Sequence, residues 1–189
     1  MKKYIIILTL LMLSAKAWSQ DNAAKVERAT GGVQAGFLGM WIYQESKISD
    51  ATAFRIEFGL EGGLWGGNYR EGIGILFRPA LNAESRWYYN LNKRMNKERN
   101  IEYNSGSFLS LKLNYQPDWF LISNEKGIRP IANMGLYPSW GIRTMITQRW
   151  NVEAGAGLGP RIYFLRYRGI GPDFIQIEFN IHLRIGICY

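Results

Sequence analysis

The last fifteen residues constrain the fold of this chain more than any other feature. Ile175, Ile177, Phe179, Ile181, Leu183, Ile185, Ile187 and Tyr189 are apolar or aromatic, and Gln176, Glu178, Asn180, His182, Arg184, Gly186 and Cys188 alternate with them. A period of two puts the two sets on opposite faces of one strand. Globular strands commonly run about five or six residues, whereas a strand crossing a bilayer needs about 9–11. This run is long enough to cross and overhang.

The same alternation recurs upstream. Phe54, Ile56, Phe58 and Leu60 alternate with Arg55, Glu57, Gly59 and Glu61, and Leu109, Leu111, Leu113 and Tyr115 face away from Ser110, Lys112 and Asn114. Runs around residues 71–78, 80–91, 130–146 and 150–166 read the same way, and residues 33–44 do so weakly. The strands expected are therefore 33–44, 53–62, 71–78, 80–91, 106–117, 130–146, 150–166 and 174–189. The joint at Arg78-Pro79 is weak, because the phase runs straight through it. Glycine-rich or polar turns separate the runs, and none of them carries a helical 3.6 period.

Composition removes several classes. The 189 residues include one Cys and one His, which excludes an intramolecular disulfide framework, Cys-rich zinc sites and two-His metal motifs. No metal and no cofactor is expected. The N-terminus has the layout of a secretory signal peptide over residues 1–20: Lys2 and Lys3, an apolar Tyr4–Leu13, then Ala15-Lys16-Ala17. Losing Lys2, Lys3 and Lys16 with that leader lowers the formal charge from +8 to +5, which gives no warrant for nucleic-acid binding. Beyond residue 20 no apolar run is long enough for a helical span.

An exported chain of alternating strands can bury its apolar face in a soluble sandwich or lipocalin, or turn it to lipid in a membrane barrel. Two features favour lipid. The polar face carries Arg55, Glu57, Glu61, Glu84, Arg86, Lys112, Arg143, Glu153, Arg161, Glu178, His182 and Arg184, which is nearly neutral and suits a narrow lumen of paired charges. Trp41, Tyr43, Trp65, Trp87, Tyr89, Tyr115, Trp119, Trp150, Tyr163 and Tyr189 fall near strand ends, where amphipathic rings suit the two membrane interfaces.

A third feature is a resemblance. Tyr189, with Ile187, Ile185 and Leu183 behind it on one face, resembles the C-terminal sorting signal of outer-membrane barrels. That implies the barrel-assembly machinery as a partner during biogenesis. The segments 86–91, 104–111, Pro117-Asp118-Trp119, Trp140-Gly141-Ile142-Arg143 and 182–186 resemble the small outer-membrane β-barrel domain proteins common in the Bacteroidetes. The resemblance covers most of residues 33–189. It implies an outer-membrane barrel of undefined function and brings no catalytic residues.

The expectation is an all-β, antiparallel, up-and-down transmembrane β-barrel of eight strands over residues 33–189. It would be monomeric, located in the cell outer membrane, in contact with outer-membrane lipid, and structural or binding rather than enzymatic. An eight-strand interior fills with side chains, so no porin-sized pore is expected. Two alternatives remain open: a secreted lipocalin-like binder of an apolar ligand, and an outer-membrane lipid-modifying enzyme. The enzyme would need His182, sharing a face with Glu178, next to a serine such as Ser85, Ser110 or Ser139. Gly155, Gly157 and Gly159 lie at period two inside a strand, so they read as room for large side chains and not as a phosphate loop. Lys93, Arg94, Lys97 and Arg99 read as a solvated basic turn or a contact for anionic partners.

Overall fold

The computed structural model describes residues 24–65, 74–124 and 128–189, so the signal peptide expected over residues 1–20 lies outside the described residues. The strands are β1 (Ala29–Gly36), β2 (Gly39–Lys47), β3 (Thr52–Trp65), β4 (Gly74–Tyr88), β5 (Gly106–Gln116), β6 (Ile122–Ser123), β7 (Asn133–Met145), β8 (Trp150–Tyr163) and β9 (Phe174–Cys188). A five-residue helix, α1 (Leu91–Met95), follows β4. All strands belong to one antiparallel sheet. Eight of them pair in chain order, with β5 joined to β7 past the short β6; β9 pairs back to β1, and the ring closes. The two-residue β6 only extends β4.

The expected count of eight survives by two compensating errors. Residues 33–44 are not one strand but parts of β1 and β2, joined by a tight turn at Phe37-Leu38, and the ring begins at Ala29. Gly36 pairs with Gly39, whose φ of +145° is open to glycine, and a Cβ there would meet the Leu60 carbonyl oxygen at 2.2 Å. The turn also switches phase. Even-numbered Gln34 faces inward on β1, whereas odd-numbered Trp41, Tyr43 and Glu45 face inward on β2. That switch is why the alternation across 33–44 looked weak. Residues 74–88, by contrast, are one strand running through Arg78-Pro79 with its phase intact. The remaining strands keep the expected phase, with ends shifted by a few residues; part of the expected strand 71–78 lies outside the described residues.

Inside and outside are inverted relative to a water-soluble domain. Arg55, Arg86 and Arg143 are among the largest fully buried side chains, while Ile56 is 55% exposed, Leu111 51% and Ile181 73%. Large apolar side chains normally fill the core, and monomeric soluble proteins rarely expose contiguous apolar patches beyond a few hundred Å². Here the exposed apolar residues alternate with buried polar ones around the ring. Trp87, Tyr89, Trp119, Trp150 and Tyr189 are exposed near strand ends. Trp41 and Tyr43 correct the expectation: they are 6% and 4% exposed and stack inside against arginines. Tyr163 also turns inward and donates its hydroxyl to Glu178 at 2.5 Å. Tyr115 is half-buried, and the side chain of Trp65 lies outside what is described.

A small apolar cluster sits at the end of the ring that carries the N-terminal segment. Ala24, Val26, Ala53, Tyr88, Leu91 and Phe108 pack together, with Met95 and Ile101 against them. The β4–β5 connection and residues 24–27 are tied by side-chain amides: Asn92 Oδ1 accepts from the Ala24 N–H at 2.6 Å, and Asn104 Oδ1 from the Glu27 N–H at 2.8 Å. The basic residues Lys93 and Arg94 lie on α1, with Lys97 and Arg99 just after it.

Candidate functional site: the charged interior

Alternate residues of every ring strand point into a space narrow enough for side chains from opposite walls to meet. All twelve charged or His side chains expected on the polar face lie on this interior face. Sequence parity missed Glu45 and Arg78. Glu45 fell past the expected end of the first strand and on the other side of its unseen phase switch. Arg78 has the inward parity of its strand but sat at the doubtful joint.

The half of the interior nearer the N-terminal cluster is an ion-paired network. Glu153 is its centre. Its carboxylate accepts from Arg86 Nη2 at 2.8 Å, Arg143 Nε at 2.8 Å and Arg55 Nη1 at 3.3 Å. Glu45 accepts from Tyr88 Oη at 2.8 Å, Asn104 Nδ2 at 2.6 Å and Arg143 Nη2 at 3.2 Å. Glu57 binds Arg55 Nε at 2.5 Å and Arg184 Nη1 at 2.8 Å, and Glu84 binds Arg86 at 2.8 Å. Arg55, Arg86, Arg143 and Arg184 thus balance Glu45, Glu57, Glu84 and Glu153. Planar guanidiniums also lie over rings: Arg55 over Tyr43 at 3.7 Å, Arg184 over Trp41 at 3.9 Å and Arg86 over Phe108 at 4.2 Å. Such a site holds buried charge by giving each ion several partners.

The other half is held by amides. Glu61 accepts from Gln116 Nε2 at 2.7 Å, Asn114 Nδ2 at 2.9 Å, Asn82 Nδ2 at 3.2 Å and Trp41 Nε1 at 3.3 Å, with no base within ion-pair distance among the described residues. Arg161 donates to Tyr137 Oη, Gln116 Oε1, Asn114 Oδ1 and Asn133 Oδ1 at 2.7–2.9 Å, and lies 3.2 Å from Glu178. Among the described residues Lys112 donates a hydrogen bond to Asn180 Oδ1 alone, at 3.3 Å.

The sequence suggested His182 beside Glu178. The structure instead puts His182 Nε2 3.5 Å from Glu153, while Glu178 pairs with Tyr163 and Arg161. Among the described residues both ring nitrogens of His182, and Ser110 Oγ, are buried without a hydrogen bond. Ser139 Oγ donates to the Tyr137 carbonyl, and Ser85 is exposed. A serine–histidine pair is not assembled among the described residues. The three glycines of β8 do make room: a Cβ on Gly155 would meet His182 Cε1 at 2.5 Å, and one on Gly159 the Leu136 carbonyl oxygen at 1.9 Å. Cys188 is buried, with Tyr43 Oη at 3.1 Å and Asn151 Nδ2 at 2.9 Å from its sulfur. Leu183, Ile185, Ile187 and Tyr189 all point outward from β9 and its end.

A scan against protein-family models finds no match, and a search of the curated proteins finds none either.

Proposed function

We propose that this chain is a small integral outer-membrane β-barrel of structural or ligand-binding role, monomeric and without a porin-sized pore. The observation that carries the reading is the closed ring with arginine and glutamate inside and an exposed apolar band outside. In water that band would be a large unsatisfied apolar surface; in a bilayer it meets lipid, and closure leaves the sheet free of lipid-exposed edges wherever the strands pair. The exposed Trp and Tyr near strand ends fit the two interfaces. With both termini on the periplasmic side, the 48–51 and 146–149 turns and the α1 connection face the periplasm, and the β1–β2 turn and the 164–173 connection face outward. A soluble binder of an apolar ligand would need its apolar face turned inward, and the buried arginines argue against it.

Heat-modifiability tests the reading. The protein, extracted from the membrane fraction in detergent, is run boiled and unboiled on a denaturing gel. A closed membrane barrel gives a faster unboiled band and floats with phosphatidylcholine vesicles. A protein that stays soluble without detergent and shows no band shift refutes it. In planar bilayers the inserted protein should give no conductance steps of porin size.

A further inference from the structure

The ring is not equally tall all round. β9 pairs with β8 from Phe174 to Ile187 but with β1 only from Arg184 to Cys188. Residues 174–183 of β9 therefore carry a ladder on one side and, among the described residues, no strand on the other, because the β1–β2 hairpin turns at Phe37-Leu38. Unpaired backbone polar groups at membrane depth are tolerated only where they line a cavity or meet protein. A cavity of about 490 Å³ lies there. Its lining includes Glu178, His182 and Arg184 from the inner face of β9 and Phe179, Ile181 and Leu183 from the outer face of the same strand. One cavity can touch both faces of a strand only around a free edge, so among the described residues it opens through the wall as well as into the interior.

Two further features indicate what would enter. On the outer wall an apolar groove runs between Ala35, Val152 and Ile185, and it shares Gly36, Phe37, Leu183 and Arg184 with the cavity. On the inner side the cavity meets Arg78, Lys112, Arg161 and Arg184 against Glu61 and Glu178; with Arg184 paired to Glu57 outside the lining, a surplus of one cation is left. Arg78 makes no ion pair or side-chain hydrogen bond among the described residues, and Lys112 has only its amide partner. His182 Nδ1 adds a buried polar atom with no hydrogen-bond partner among the described residues, while Nε2 faces Glu153 at 3.5 Å. An apolar groove leading to a site with a net positive charge fits a molecule with one fatty tail and an anionic head.

We infer that this lateral opening binds a single-tailed anionic amphiphile from the bilayer, its head at Arg78 and Lys112 and its tail along Ala35, Val152 and Ile185. The inference rests on the membrane-barrel reading. The test uses the full mature chain in nanodiscs of phosphatidylcholine, titrated calorimetrically with dodecyl phosphate. One saturable site is expected. Inorganic phosphate at the same concentrations should give no comparable binding, and dodecyl maltoside should not compete. Arg78→Gln removes no hydrogen bond or ion pair among the described residues and should weaken dodecyl phosphate about tenfold, the loss of roughly one charge-assisted hydrogen bond. Val152→Glu should weaken it by blocking the tail. Absence of saturation, equal binding of inorganic phosphate, or an Arg78→Gln variant as tight as the parent overturns the inference. Failure of the parent chain to enter nanodiscs overturns the membrane reading as well; insertion with a normal gel shift but no binding overturns this inference alone.

Discussion

Replacing Glu153 by Gln asks whether the ion-paired half of the interior holds the ring together. Gln keeps the volume and one acceptor oxygen and removes the charge. Three guanidiniums lose their shared carboxylate: Arg86 and Arg143 at 2.8 Å and Arg55 at 3.3 Å. Each keeps some contact with Glu45, at 3.2 Å for Arg143 and 3.7 Å for Arg55 and Arg86. Breaking a buried ion pair by removing one partner costs about 3–5 kcal/mol, because an uncompensated charge stays behind. With four bases then facing three acids, Glu153→Gln should lose stability within that range. Arg143→Met in the same chain restores the balance, and Glu45 keeps Tyr88 and Asn104 as donors. The double variant should therefore cost about 2 kcal/mol less than the two single losses added together. Urea unfolding in phosphatidylcholine vesicles, followed by tryptophan fluorescence and the gel shift, gives both quantities by linear extrapolation. A Glu153→Gln loss below about 1 kcal/mol, or strict additivity, would refute the claim that charge balance is what the network supplies.

Two other substitutions probe the wall. Leu111→Arg puts a charge on the outer face of β5, where Leu111 is 51% exposed; in a bilayer this should cost about 2–4 kcal/mol near the midplane, whereas an exposed site in water would change by less than about 0.5 kcal/mol. The same vesicle unfolding assay separates the two outcomes. Gly159→Val drives a side chain into the Leu136 carbonyl, while Gly171 has nothing within 4 Å of an added Cβ. Gly159→Val should abolish the heat-modifiable band and Gly171→Val should leave it in place; equal behaviour of the two would mean the close approach of β7 and β8 is not required.

Parity was the legible part of this fold. A strand whose faces meet such different surroundings must write that difference into alternate residues, so β3, β5, β8 and β9 could be read directly. The β1–β2 hairpin could not, because a two-residue turn between strands of opposite phase erases the alternation that would reveal it. Glu45 was lost with it, although it holds Tyr88, Asn104 and Arg143 together. Pro79 misled in the other direction. Proline usually interrupts a strand, yet here it faces Leu60 in an unbroken β3–β4 ladder. Which charges meet was also illegible. Glu178 and His182 share a strand face, but the β8–β9 register sets Gly155 opposite His182 and so brings Glu153 of the adjacent strand to 3.5 Å from His182 Nε2, and only that register decides the pairing.

Register also explains why the two halves of the interior differ. In the ion-paired half, carboxylates meet guanidiniums and the charge cancels locally. In the other half, Asn82, Asn114 and Gln116 stand between Glu61 and Arg161, donating to the first and, through Asn114 and Gln116, accepting from the second. An amide offers both donor and acceptor, so it satisfies an ion of either sign without neutralising it. Glu61 is thereby held by amides and not by a direct ion pair, and together with Lys112 and Arg78 it leaves one positive charge facing the cavity. Bases placed at those three amide positions would pair with Glu61 and tighten this half, but they would crowd like charges around Arg161. The amide belt thus keeps the interior stable on one side and electrostatically open on the other, at the level where the wall itself is open.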